Sequence, residues 1–233
     1  IDIIDACPSA EEVQEKLKKY SDQFRRPVVM IAVDGADVPT RPEPSFYKGK
    51  RGKGRWRESK GFRIYIVDST RIDHLISWHQ IQTDDELAAA LQRIKDQTLL
   101  PEEKIRLCFI GDGAKWIWNK ISVIFPTAKQ ILDFYHCSEY IHEVAHLQYG
   151  RTRKAKEWIE ATFTRLFHNQ LEAVIWGLQR IQPKSVEAKE QIVGTIRYLS
   201  NNDKKVNYRA YRKAGYHIGS GAIESANKFI GHV

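Results

Sequence analysis

Residues 28–35 read VVMIAVDG and residues 105–113 read IRLCFIGDG. Twice, a short apolar run stops at an aspartate followed by glycine. Each run is too short and too rich in β-branched residues for a buried helix, so each is expected as a central strand. On that reading Asp34 and Asp112 mark C-terminal strand ends, where Gly35 and Gly113 let the backbone turn away. Residues 61–69 (GFRIYIVDS) and 72–81 (IDHLISWHQI) read as two further strands with a tight connection, most simply antiparallel neighbours. Thr83 and Glu86 make a capping box for a helix with Leu87, Leu91 and Ile94 on one face. Ile117, Ile121 and Ile124 mark another helix, and residues 130–134 (QILDF) another strand. The order is β-β-β-α-β-α-β, and right-handed crossovers should add the later strands in parallel, giving a mixed α/β sheet.

Upstream, Ser9 and Glu12 form a second capping box, and Val13, Leu17 and Tyr20 follow at helical spacing in a helix expected to end near Pro27. Beyond residue 137 the strand pattern stops. Trp158/Ile159, Thr162/Phe163 and Leu166 step by threes and fours, as do Leu171, Val174/Ile175 and Leu178, and Ile192, Ile196 and Leu199. The expected organisation is a leading helical segment (1–26), an α/β region from residue 27 to residue 136, and an all-helical region over 137–215.

Composition narrows the function classes. The chain has 233 residues, 42% hydrophobic and 28% charged, which excludes a disordered or collagen-like protein. A net charge of +8 favours a polyanionic partner, nucleic acid before membrane. Cys7, Cys108 and Cys137 make no CxxC pair, so neither a disulfide framework nor a zinc ribbon is expected and a reducing, cytosolic setting fits. No run approaches a membrane span, and no signal peptide is expected from the opening residues. A start at Ile1 and a stop at Val233 make a fragment the expectation.

If the strands ending at Asp34 and Asp112 are neighbours, their carboxylates converge, and like charges that close call for a cation. Hard oxygen ligands suit magnesium. Acidic residues after strands also serve as loop and N-cap residues, and Glu224, after Gly219-Ser220-Gly221, equally suits a helix-capping role. Residues 48–60 (KGKRGKGRWRESK) carry Lys48, Lys50, Arg51, Lys53, Arg55, Arg57 and Lys60 around Trp56. A loop this basic is expected to project into solvent, where it is either a soluble hairpin tip or a tracker of phosphates with Trp56 stacking on a base. Further basic clusters lie at Arg151/Arg153/Lys154/Lys156 and Lys204/Lys205/Arg209/Arg212/Lys213. His142 and His146 share a helix face without a third ligand, whereas His136, after Asp133, is expected to close a strand beside the site.

Taken together, VDGADVPTRPE, KGFRIYIVD, HLISWHQI, GDGAKWIWN, FPTAKQILDFYHCSEYIH, VIWGLQRIQP and GYHIGSGAIESANKFI resemble the ISKra family of bacterial insertion-sequence transposases, in order from residue 27 to the end. The resemblance implies a ribonuclease H-like catalytic core over 27–136 and 216–233 around a helical insertion (137–215), and a DDE triad on Asp34, Asp112 and Glu224 that holds two Mg2+ ions, with Mn2+ as substitute. It further implies cleavage and strand transfer of double-stranded DNA at transposon ends and target, an oligomer assembled on that DNA, and a place at the bacterial nucleoid in the cytoplasm. Asp133 and His136 resemble the D-x-x-H signature of Mutator-type relatives. Full transposases of this type also carry a DNA-recognition region before such a core and a helical tail past the glutamate, so a fragment is again the expectation. Two other classes remain in view: a ribonuclease H-like nuclease that only hydrolyses, and a catalytically silent DNA-binding module.

Overall fold

A computed structural model describes residue 3 and residues 7–21, 26–40, 55–68 and 71–221. The elements are α1 (Ala10–Tyr20), β1 (Val28–Thr40), β2 (Arg55–Asp68), β3 (Arg71–Ile81), α2 (Asp84–Asp96), β4 (Arg106–Gly111), α3 (Lys115–Ile124), β5 (Lys129–Leu132), α4 (Phe134–Tyr149), α5 (Arg153–Phe167), α6 (Leu171–Gln179), α7 (Val186–Asn201) and α8 (Tyr208–Lys213). The strands form one sheet in the order β3-β2-β1-β4-β5. β1 with β2 and β2 with β3 are antiparallel. At its start β4 meets the start of β1, through Arg106 N–H to Pro27 O (2.8 Å), and at its end it meets the end of β5, through Asp133 N–H to Gly111 O (2.8 Å). Starts beside starts and ends beside ends make these strands parallel. A mixed sheet of order 3-2-1-4-5 with helices between its later strands is the ribonuclease H-like α/β fold.

By proximity of backbone positions the chain divides into two compact units, the described residues within Ile1–Phe109, Trp116–Ala128 and Gly221–Val233, and those within Ile110–Lys115 and Lys129–Ser220. The first unit is built on the apolar strands. Val28–Val33 are at most 2% exposed, and each such side chain contributes about 1.5–3 kcal/mol by leaving water. Helix α1, opened by its Ser9–Glu12 capping box, buries Val13 and Leu17 and ties to β3 through Tyr20 Oη–H to Asp73 (3.0 Å). It ends at Tyr20, not near Pro27, because Ser21 is extended and its N–H bonds back to Lys18 O. Helix α2 begins at the expected Thr83–Glu86 box, and Lys120 of α3 pairs with Asp85 of α2. In the second unit, α4 packs on α5 and α7, and α6 on α5 and α7; no strand follows β5 among the described residues.

Three further boundaries differ from the sequence reading. β1 does not stop at Asp34: it runs on to Thr40, paired residue for residue with β2 from Val28↔Val67 to Thr40↔Arg55. Ladder pairing satisfies backbone groups whatever the side chains, so a two-stranded ribbon accepts polar residues beyond the core. The like charges of Asp37 and Glu58, directly opposite each other, are relieved by Lys60, 2.9 Å from Glu58. For the same reason β2 starts at Arg55, placing Arg55, Trp56, Arg57 and Lys60 in a strand and not in a loop. Finally, β5 ends at Leu132 and α4 begins at Phe134. Asp133 accepts from the N–H groups of Tyr135 (2.6 Å) and His136 (3.3 Å) and so starts a helix. Phe134 packs its ring on Phe163, Phe167 and Tyr208, with centroids 5.0–5.4 Å away.

Candidate active site

Asp34 sits in the middle of β1, half-buried, with its Oδ1 accepting the Gly35 N–H at 2.8 Å. Directly opposite on β2 is Gly61, and opposite Gly61 on β3 is His79. The His79 ring covers Gly61: a Cβ there would lie 2.1 Å from His79 Cδ2 and 2.5 Å from the Trp78 carbonyl oxygen. Burial and the Arg63 charge push the His79 imidazole down to about 4, so it is neutral at pH 7. Nothing in the sequence reading singled out His79, because its placement depends on a glycine in a different strand.

Asp112 follows β4, in the second unit, and here the Asp-Gly pair does turn the chain. Gly113 has φ +96°, and a Cβ on it would meet Leu132 and Tyr198 at 2.9 Å, so glycine is required on two counts. Asp112 Oδ1 accepts the Ala114 N–H (2.8 Å), and its carbonyl oxygen accepts the Tyr198 hydroxyl (2.7 Å). Tyr198 stacks on Tyr140 with centroids 4.0 Å apart, and burial raises its phenol far above the ordinary value. The same two-residue signature, Asp-Gly, thus yields a continuing strand at Asp34 and a tight turn at Asp112.

Asp133 is 0% exposed. One oxygen caps α4 and the other accepts the Ser220 N–H at 2.6 Å, while Phe134 N–H donates to Ile218 O at 2.8 Å. Segment 218–220 therefore docks on the β5–α4 junction. Gly219 lies so close to the Tyr135 ring that a Cβ would come within 2.4 Å of it. His136 lies in the first turn of α4, its Nδ1 3.4 Å from Glu139, and does not close a strand. Ser220 is the long-range partner that sequence reasoning missed; Glu224, four residues further on, lies outside the described residues. Among the described residues, no three His, Cys, Asp or Glu side chains gather as a metal cluster.

Of the basic set, Lys48, Lys50, Arg51 and Lys53 lie outside the described residues, as does the side chain of Arg55. Trp56 is 69% exposed and Arg57 is exposed, as a nucleic-acid contact requires. Lys60 is not: it is buried, paired with Glu58 and held over the Trp116 ring at 5.1 Å. Its aliphatic stem lets a cation sit inside when the ammonium finds a carboxylate and an aromatic face. In the second unit, Lys204 of the basic cluster lines a groove of about 490 Å3 together with Lys129, Asp203, Asn207, Tyr211 and Tyr216. Trp158 is half-buried beside Tyr149, and Trp176 is exposed with the Arg180 guanidinium 4.2 Å over its ring. Cys7, Cys108 and Cys137 form no disulfide among the described residues, and burial pushes the Cys137 thiol up to about 11. Among the described residues no helix is long and apolar enough to cross a membrane.

No protein-family model matches this chain, and no curated protein matches it. Among solved structures it is similar to a Drosophila P element transposase strand transfer complex, at 15% identity and a TM-score of 0.32, over 95% of this chain and 57% of that one. It is also similar to the NurA nuclease from Sulfolobus solfataricus, at 13% identity and a TM-score of 0.20, over 83% of this chain and 49% of that one. The chain thus spans about half the length of each of these proteins.

Proposed function

We propose that this chain is the catalytic core of a DDE-type transposase, cleaving and joining DNA at transposon ends with divalent metal. The observation that carries the proposal is the sheet order 3-2-1-4-5 with an aspartate on its first strand and another immediately after its fourth. The motif resemblance to insertion-sequence transposases and the net charge of +8 support it.

The donor set fits the metal. Asp34 and Asp112 offer hard carboxylate oxygens, each steered by a neighbouring backbone N–H, and no thiolate stands among them, which suits magnesium or manganese better than softer ions. Asp34, Asp112 and Glu224 would together hold such ions. When bound, the ions supply an activated oxygen nucleophile and charge stabilisation at the leaving oxygen. The chain's own part is to fix the carboxylates: Gly35 N–H orients Asp34, while Ala114 N–H and the Gly113 turn orient Asp112. Attack of water on a phosphodiester breaks one P–O bond and leaves a 3′-hydroxyl. Attack of that hydroxyl on a second phosphodiester exchanges one P–O bond for another, so strand transfer needs no covalent enzyme intermediate. Trp56 and Arg57 are exposed on β2, and in this reading they contact the DNA backbone and bases.

The test is an amide series, Asp34→Asn, Asp112→Asn and Glu224→Gln, assayed on end-containing duplex DNA with Mg2+. Each should lower cleavage by at least about a hundredfold, given the several kcal/mol that metal-assisted charge stabilisation supplies. Undiminished cleavage removes that residue from the triad. Products cut but never joined would assign a hydrolytic nuclease instead.

A further inference from the structure

The row Asp34–Gly61–His79 crosses three adjacent strands at directly opposed positions. Directly opposed residues project from the same face, with Cβ atoms about 4.5–5.5 Å apart. The middle member has no side chain, and the His79 imidazole fills the vacant place, with Cγ 2.4 Å and Cδ2 2.1 Å from where a Gly61 Cβ would be. The ring therefore lies over β2 at Gly61, the residue directly opposite Asp34. Nε2, bonded to Cδ2, is buried and has no hydrogen-bond partner among the described residues. A buried polar atom without a partner costs about 1–3 kcal/mol, and native folds retain such atoms where an ion, a water or a substrate completes them. Core packing alone does not explain this one: leucine or phenylalanine would fill the space over Gly61 without an orphaned nitrogen.

We propose that His79 is a positioning residue of the Asp34 metal site, its Nε2 accepting a hydrogen bond from a water on the divalent cation that Asp34 holds. The proposal rests on the metal-dependent reading above and deepens it. The tautomer it requires carries the ring proton on Nδ1. Such outer contacts orient a metal's water ligands and change metal affinity by about 10–100-fold when removed.

The experiment is calorimetric titration of the whole chain with MnCl2, without DNA, for the wild type, Asp34→Asn, His79→Asn and His79→Gln. A glutamine amide reaches the place of Nε2, whereas an asparagine amide reaches only that of Nδ1, and both are polar and smaller than imidazole. Mn2+ affinity should fall about tenfold in His79→Asn and return to within about twofold of wild type in His79→Gln, a split that a purely structural role does not produce. Equal affinity in wild type and His79→Asn, with Asp34→Asn still impaired, overturns the role of His79 and leaves the metal site standing. Unimpaired binding in Asp34→Asn overturns both.

Discussion

Replacing Asp133 by asparagine tests the tie between the β5–α4 junction and the segment leading to Glu224. Asp133 is fully buried and its two oxygens accept three backbone N–H groups, two at the head of α4 and one from Ser220. The asparagine variant keeps one acceptor oxygen but turns an NH2 donor toward an N–H donor. If Tyr135 and His136 keep the oxygen, the Ser220 amide, in a residue 3% exposed, loses its partner. A buried donor so orphaned costs about 1–3 kcal/mol. Asp133→Ala removes the helix cap as well, adding about 0.5–2 kcal/mol. The direct readout is hydrogen exchange at the Ser220 amide, which reports local opening. In Asp133→Asn it should speed up roughly 5- to 150-fold, the factor that corresponds to 1–3 kcal/mol. In Asp133→Ala, amides of the first turn of α4 should lose protection too. Unchanged exchange at Ser220 in both variants would show that this carboxylate does not anchor segment 218–220.

Gly61→Ala should be among the most damaging single-methyl changes in the chain. Its Cβ would lie 2.5 Å from the fixed Trp78 carbonyl as well as 2.1 Å from the His79 ring, so the strands must part; a loss of about 2–3 kcal/mol in urea unfolding is expected. Stability should also depend on pH through His79. Its folded-state value of about 4 lies below the ordinary 6.5, so between these pH values the unfolded chain binds a proton that the folded one does not. Stability is therefore complete above about pH 6.5 and falls as pH drops toward 4. After a discount for partial exposure the loss is about 1–2 kcal/mol. His79→Gln lacks this component, so urea midpoints of the two proteins at pH 7 and pH 4.5 should diverge only for this reason.

Much of the fold is written in local patterns. The apolar runs at 28–33 and 105–110, the two capping boxes and the three-four spacing beyond residue 137 each depend on near neighbours, and the chain folds there as those patterns require. The site is less legible because its contacts span the sequence. Asp34-Gly35 and Asp112-Gly113 look alike as text, yet one pairs with β2 and the other turns at φ +96°. What separates them is the presence of a ladder partner, in the first case Gly61, opposite Asp34 on β2. Lys60 reads as one more basic residue in a basic stretch, and only Glu58 and Trp116 turn it into a buried one. Asp133 reads as the end of a strand, but its second oxygen answers to an amide 87 residues later. His79 is invisible without knowing that a glycine lies across from it.

The phenol of Tyr198 grips Asp112 by its carbonyl oxygen and leaves the carboxyl untouched. That attachment is blind to which side chain occupies position 112. Exchanging the acid for its amide consequently leaves the tether from α7 in place, and a silent Asp112→Asn protein would owe its silence to lost charge and not to a displaced helix. Tyr198→Phe gives the converse protein, with the acid kept and the tether cut, so chemistry and scaffolding at this position can be separated one atom at a time.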